Sequence, residues 1–158
     1  MKIRRANIND LEGLNRLLYQ VAEVHVKGGP GLFKANQKKY TNEELIELLK
    51  EEDRPVFVAV DEKEMTLGYA FCIKQQHHNN HVLTDVKTLY IDDLCVDENY
   101  RGQHIGAALY HFVLEYAKAN DYYNVTLNVW ACNPSAMKFY EKMGLQIQKI
   151  GMETLLKD

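Results

Sequence analysis

Tyr90-Ile91-Asp92-Asp93-Leu94-Cys95-Val96-Asp97-Glu98-Asn99-Tyr100-Arg101-Gly102-Gln103-His104-Ile105-Gly106-Ala107-Ala108-Leu109 is the stretch on which the fold turns. Leu89 to Val96 has the length and apolar content of a sheet strand, broken only by its two aspartates. Beyond the turn, Ile105, Ala108, Leu109, Phe112, Val113 and Tyr116 fall on one helical face. A strand running through a glycine-bearing turn into an amphipathic helix is therefore expected at the centre of the molecule. A helix N-terminus leaves backbone N–H groups unpaired and carries partial positive charge, so small residues there let an anionic group approach closely. Taken alone, a glycine pair before a helix is better explained as an ordinary turn.

Working outward toward the N-terminus, Val56 to Val60 reads as a strand, and Leu67, Tyr69, Phe71 and Ile73 alternate in the next. The two are expected to pair antiparallel around the turn from Asp61 to Met65. Lys2 to Ala6 is a short first strand; Asn9 then caps a helix whose apolar positions Leu11, Leu14, Leu18, Val21 and Val24 run to about Val26. Gly28-Gly29-Pro30-Gly31 marks a connection, and Thr41-Asn42-Glu43-Glu44 is a capping box that opens a second helix through Lys50. Toward the C-terminus, Val125 to Trp130 is a strand, a helix starts at Pro134 and stops at Gly144, and Ile147 to Leu155 is expected as a last strand. This order predicts an α/β (mixed α+β) fold, a mixed sheet with helices on its faces, in one domain over residues 1–158.

Composition narrows the classes of function. The net charge is −3 with both signs interleaved, so the basic stripe of a nucleic-acid binder is absent from the sequence. No apolar run is long enough to cross a bilayer and no signal-peptide pattern opens the chain, which predicts a cytoplasmic protein without a membrane partner. Cys72, Cys95 and Cys132 are too far apart for a zinc pattern and read as free thiols. His77, His78 and His81 sit in an asparagine-rich loop that fixes no metal geometry, so no metal is expected.

A second block gives the central turn its meaning. Leu127-Asn128-Val129-Trp130-Ala131-Cys132-Asn133-Pro134-Ser135-Ala136-Met137-Lys138-Phe139-Tyr140-Glu141-Lys142-Met143-Gly144-Leu145 resembles one signature of the GNAT superfamily of N-acetyltransferases, L-x-V-x-x-x-N-x-x-A-x-x-x-Y-x-x-x-G-F, with Leu145 in place of the final aromatic. The turn resembles the other, R/Q-x-x-G-x-G/A, met by Arg101 and Gly106 after Tyr100-Arg101-Gly102, with His104 where the family has glycine. The central strand also resembles that of polyamine-acetylating members.

The resemblance implies a strongly twisted, largely antiparallel sheet with a splayed central strand pair, and acetyl-CoA as cofactor. Arg101, Gly102, Gln103, His104, Ile105, Gly106 and Ala107 would hold its pyrophosphate. Leu94, Cys95 and Val96 would offer backbone hydrogen bonds to the pantetheine arm, lying as an added strand, and Asn133 and Ser135 would contact the same arm. Tyr140 would protonate the leaving thiolate. A homodimer is common in such folds and is expected here.

The acceptor would be a primary amine, whose ammonium must lose a proton at a cost of about 4–5 kcal/mol at neutral pH. Asp92 and Asp93 are the candidates to attract it and take that proton. Strand alternation puts them on opposite faces, with Asp92 favoured for the amine and Asp93 in reserve. His25, Phe33, Asn128 and Trp130 are candidate acceptor contacts. Alternatives are a catalytically silent acetyl-CoA sensor of the same fold and a dinucleotide-binding domain, the latter lacking a full GxGxxG. Acyl-cysteine chemistry at Cys132 has no neighbouring histidine to support it.

Overall fold

The computed structural model describes residues 1–28 and 38–157, with residues 24, 25 and 28 by backbone alone. It separates into two compact units, Met1–Asn128 and Val129–Asp158, each described here by itself. In the first unit β1 (Lys2–Arg5), β2 (Val56–Val60), β3 (Thr66–Gln75), β4 (Thr88–Val96) and β5 (Asn124–Leu127) form one sheet in that order. The first three junctions are antiparallel and β4–β5 is parallel, so the sheet is mixed and largely antiparallel, as expected.

Helices cover both faces of this sheet. Alternation along β2 sends Val56, Val58 and Val60 to one side, where they join Tyr69 and Phe71 of β3. Leu14, Leu17 and Leu18 of α1 (Leu11–Gly28) and Leu45 and Leu48 of α2 (Asn42–Leu48) close that core. On the other side Ala59 and Leu67 pack against Ile105 and Leu109 of α3 (Ile105–Ala119). Phe57 meets Phe112 and Tyr116 of the same helix edge-on, with ring centroids 5.1 and 5.0 Å away.

Local signals are largely obeyed, with informative exceptions. Thr41 caps α2 through the expected box with Glu44, and Tyr40 and Leu45, flanking the cap, share one core as a hydrophobic staple. The start of α1 is set by Asn7 rather than Asn9. Asn7 accepts from the Asn9 N–H, and Asp10 returns a bond to the Asn7 N–H, forming a single 3-10 turn that feeds the helix. Arg4 explains the choice: its guanidinium grips the buried Asp10 carboxylate through two bonds of 2.8 and 2.9 Å, fixing β1 to the turn.

The fifth strand ends at Leu127, short of the expected Trp130, because its ladder with β4 stops at the pair Ile91–Leu127. The second unit contains α4 (Pro134–Lys142), and its described residues form no strand over Ile147–Leu155. Within that unit the segment has no second strand to pair with, and a lone extended segment has no ladder of its own. Among the described residues no helix is long and apolar enough to cross a membrane.

Helix α3 lies close on the sheet because β3 carries Gly68 beneath it. A Cβ there would stand 2.8 Å from the Cys95 carbonyl oxygen and 3.0 Å from Leu109 Cδ1. Gly68→Ala is therefore expected to lower unfolding stability by about 1–3 kcal/mol through overpacking, read from urea melts.

Candidate active site

The site starts from an irregularity in the β3–β4 ladder. Phe71 faces Asp93 and Cys72 faces Ile91, so Asp92 is one residue too many and bulges from the pairing. Strict alternation fails there, and the two aspartates do not part to opposite faces as expected. Asp92 Oδ2 accepts the Tyr40 hydroxyl at 2.6 Å, and Asp93 Oδ2 accepts the Tyr69 hydroxyl at 2.6 Å. Both tyrosine rings lie against Phe71, Tyr40 stacked at 5.4 Å and Tyr69 edge-on at 4.8 Å. The carboxylates thus belong to one cluster, on the face covered by α1 and α2.

Two cations join it. Lys39 Nζ is 2.8 Å from Asp92 Oδ2, and Arg54 Nη2 donates to the Tyr40 hydroxyl at 3.2 Å. Asp92 is thereby held by one ammonium and one phenol. Asp93 is different: burial pushes its carboxyl up to about 6, the Asp92 charge adds to this, and the Tyr69 hydroxyl and Lys39 charge oppose it. Tyr40 and Tyr69 are both held above the usual phenol range, first by burial and then by the aspartates. They stay protonated and serve as donors.

The bulge adjoins a stretch of β4 that has lost its neighbour. With the β4–β5 ladder ending at Ile91, residues 92–96 have no strand partner on that side among the described residues. This is the splay the resemblance implies. The Asp97 N–H bonds to Leu67 on β3, so by alternation Cys95 also turns its N–H to β3 while Leu94 and Val96 turn theirs to the open side. The expected triplet is split: Leu94 and Val96 turn their backbone to the edge with no described strand partner, the Leu94 N–H there also bonding the Asp93 carboxylate, and Cys95 is buried against α1 with Sγ 3.9 Å from the Leu17 carbonyl oxygen.

Past β4, the turn to α3 passes two left-handed residues, Gly102 at φ 81° and His104 at φ 63°. His104 occupies the N-cap without a side-chain cap bond, and the Ala108 N–H bonds back to its carbonyl at 3.0 Å. The N–H groups of Ile105, Gly106 and Ala107 therefore have no partner inside the helix, which is the geometry of an anion cradle. Arg101, Gly102, Gln103 and His104 are exposed around it. A strut holds the loop: Arg16 of α1 pairs with buried Asp97 and donates to the Thr66 carbonyl at 2.7 Å. Burial opposes ionisation of Asp97, but bonds from Asn99 and Arg16 outweigh it and keep the carboxyl low.

The remaining predicted residues divide between the units. Asn128 ends the first unit, its amide donating to the Tyr90 hydroxyl at 3.2 Å. In the second, Asn133 caps α4, its Oδ1 accepting from the Ala136 N–H at 3.3 Å and from Ser135 Oγ at 3.1 Å. The Asn133 NH2 takes no part in that cap, whereas Ser135 is committed to it. The Trp130 carbonyl accepts from the Asn133 N–H at 2.9 Å, and Tyr140 packs edge-on with Phe139 at 5.1 Å. His25 lies in α1 with its side chain outside the described residues, as is all of Phe33.

Sequence reasoning missed Lys39, Tyr40, Arg54 and Tyr69. Tyr40 was within reach as the residue before the Thr41 cap, and Tyr69 as an inward position of β3. Nothing local marks Lys39 or Arg54, which tertiary packing brings to Asp92 and Tyr40.

Comparison with known proteins agrees with this geometry. The Acetyltransferase (GNAT) family model matches residues 18–145. A mutant of the BH1408 protein from Bacillus halodurans superposes with a TM-score of 0.94 at 34% identity, covering 99% of this chain and 100% of that one. Glucosamine 6-phosphate N-acetyltransferase from Arabidopsis thaliana is 32% identical over 66 residues, 42% of each chain. N-acetylaspartate synthetase from Xenopus tropicalis is 42% identical over 53 residues, 34% of this chain and 20% of that protein. The matched stretches thus span less than half the length of these two curated relatives. The chain belongs to the GNAT acetyltransferase family.

Two outcomes follow from the site's strain and burial. Glycine takes the left-handed conformation of residue 104 without steric cost, so His104→Gly is expected to raise unfolding stability by up to about 1 kcal/mol in urea melts. Asp93 has a folded pKa above its unfolded value, so its contribution favours folding at low pH and is lost as pH rises toward about 6. Asp93→Asn should match the parent in stability near pH 4 and gain on it by up to about 2–3 kcal/mol by pH 8, read from melts across that range.

Proposed function

We propose that this chain transfers acetyl from acetyl-CoA to a primary amine by direct attack within a ternary complex. The observation that carries the reading is the bulged Asp92–Asp93 pair, with a carboxyl raised to about 6, beside the unpaired stretch of β4. The Val96 backbone groups and the Leu94 carbonyl on that edge would hold the pantetheine arm as an added strand, with the Val96 N–H to fix the thioester carbonyl. The N–H groups at the start of α3, with Arg101, would bind the pyrophosphate. Acetyl-CoA supplies the activated acetyl group when bound.

The residues of this chain then handle charge and protons. Asp92 draws the acceptor ammonium by its charge, as the Lys39 contact exemplifies. Asp93 takes the proton: a base with a pKa near 6 is ionised at neutral pH and still basic enough to share an amine proton, directly or through water. Tyr69, bonded to Asp93, fixes the orientation of that carboxyl. The role of Tyr140 as acid toward the departing thiolate is supported by its position in the second motif and by family membership. The relatives' names add two amines to test, glucosamine 6-phosphate and aspartate.

Thiol release across amino sugars, amino acids, polyamines and peptide amines tests the reading; coenzyme binding without release from any amine would favour the sensor. Asp93→Asn is expected to lower kcat by about 10²–10⁴-fold and to abolish a rise in rate with midpoint near pH 6, with coenzyme affinity retained. Tyr140→Phe should lower turnover more than coenzyme affinity, and unchanged turnover would remove it from the acid role.

A further inference from the structure

We propose that Lys39 is an acetyl acceptor in its own right: supplied with acetyl-CoA and no outside amine, the chain acetylates its own Lys39. The inference rests on the reading above, with acetyl-CoA as donor and the aspartate pair at the acceptor position. Lys39 Nζ already sits where an acceptor ammonium is to be held, 2.8 Å from Asp92 Oδ2. Its charge also acts on Asp93, the next residue of the bulge. The side chain is 45% exposed while that of Asp92 is 13% exposed, so the amine reaches inward from the surface to a sheltered carboxylate.

Other described lysines with ion pairs are placed differently. Lys2, Lys50, Lys74 and Lys118 pair with Glu64, Glu47, Asp53 and Glu115, carboxylates at least half exposed and remote in sequence from the bulge. A tethered amine also needs no binding step, since its local concentration at the acid pair exceeds that of any dilute free amine.

The step balances with the groups present and the donor. The Lys39 ammonium gives one proton to Asp93, and the neutral nitrogen attacks the thioester carbon, forming the C–N bond. The C–S bond breaks, the thiolate takes the second proton shed by nitrogen, and the products are Nε-acetyl-lysine and the coenzyme thiol. Asp93 returns its proton to water.

Intact-mass spectrometry and peptide mapping of the full chain incubated with acetyl-CoA alone test the proposal. The expected result is one added acetyl on Lys39, at a first-order rate unchanged by dilution and at least about tenfold faster than in urea-unfolded chain. Lys39→Arg should take no such acetyl, and Asp93→Asn, confirmed folded by circular dichroism, should take it at least about tenfold more slowly. An unmodified Lys39 in a preparation that turns over an outside amine overturns self-acetylation alone. Equal labelling of native and unfolded chain overturns it too, because that is uncatalysed acetylation of an exposed lysine. A chain that acetylates neither Lys39 nor any outside amine overturns the proposed function with it.

Discussion

The pairing of β3 with β4, and its slip by one residue at Asp92, is the constraint from which the rest of the site is built. Below the slip, from Thr88 to Ile91, the ladder is regular and β4 is paired on both edges. At the slip two carboxylates are delivered to one side of the sheet, which regular pleating forbids. Beyond it, β4 runs on with β3 on one edge and no described strand on the other. A bulge thus converts a structural strand into a working one.

Keeping two carboxylates together under helices is costly unless each is hydrogen-bonded. Tyr40 and Tyr69, both packed on Phe71, meet that need, and Lys39 balances the charge of Asp92. The inequality that results is the useful part. One aspartate is well paired, and the other is left in a poorly solvating place that raises its affinity for a proton.

Much of this fold was legible because local rules and tertiary structure agree. The alternation in β2, the helical face of α3 and the Thr41 box each have one reading, whereas in β3 an irregularity opposite Ala59 and Val60 turns Leu67 to the other face from Tyr69 and Phe71. The misreadings have physical causes. Asn7 wins the cap of the first turn because Arg4, on the preceding strand, recruits Asp10 to complete a box, a pairing that the apolar spacing of the helix does not show. The bulge is silent because Asp92-Asp93 carries no apolar alternation to betray a change of register. Lys39 and Arg54 reach the site only through packing. The N–H cradle at α3 was readable as a motif, and His104 in a left-handed conformation shows why glycine is usual at that position.

Burial has a further chemical effect on the two cysteines of this sheet. It pushes the thiols of Cys72 and Cys95 up to about 12, so only about one molecule in 10⁵ carries either thiolate at neutral pH. A protein that handles a thioester beside its own sulfur risks transthioesterification, in which a thiolate steals the acyl group before nitrogen can. Cys95 lies on the very strand proposed to hold the donor, yet its sulfur is buried against α1 and kept un-ionised. Within this sheet, sulfur is thereby withheld from the acyl transfer proposed for nitrogen.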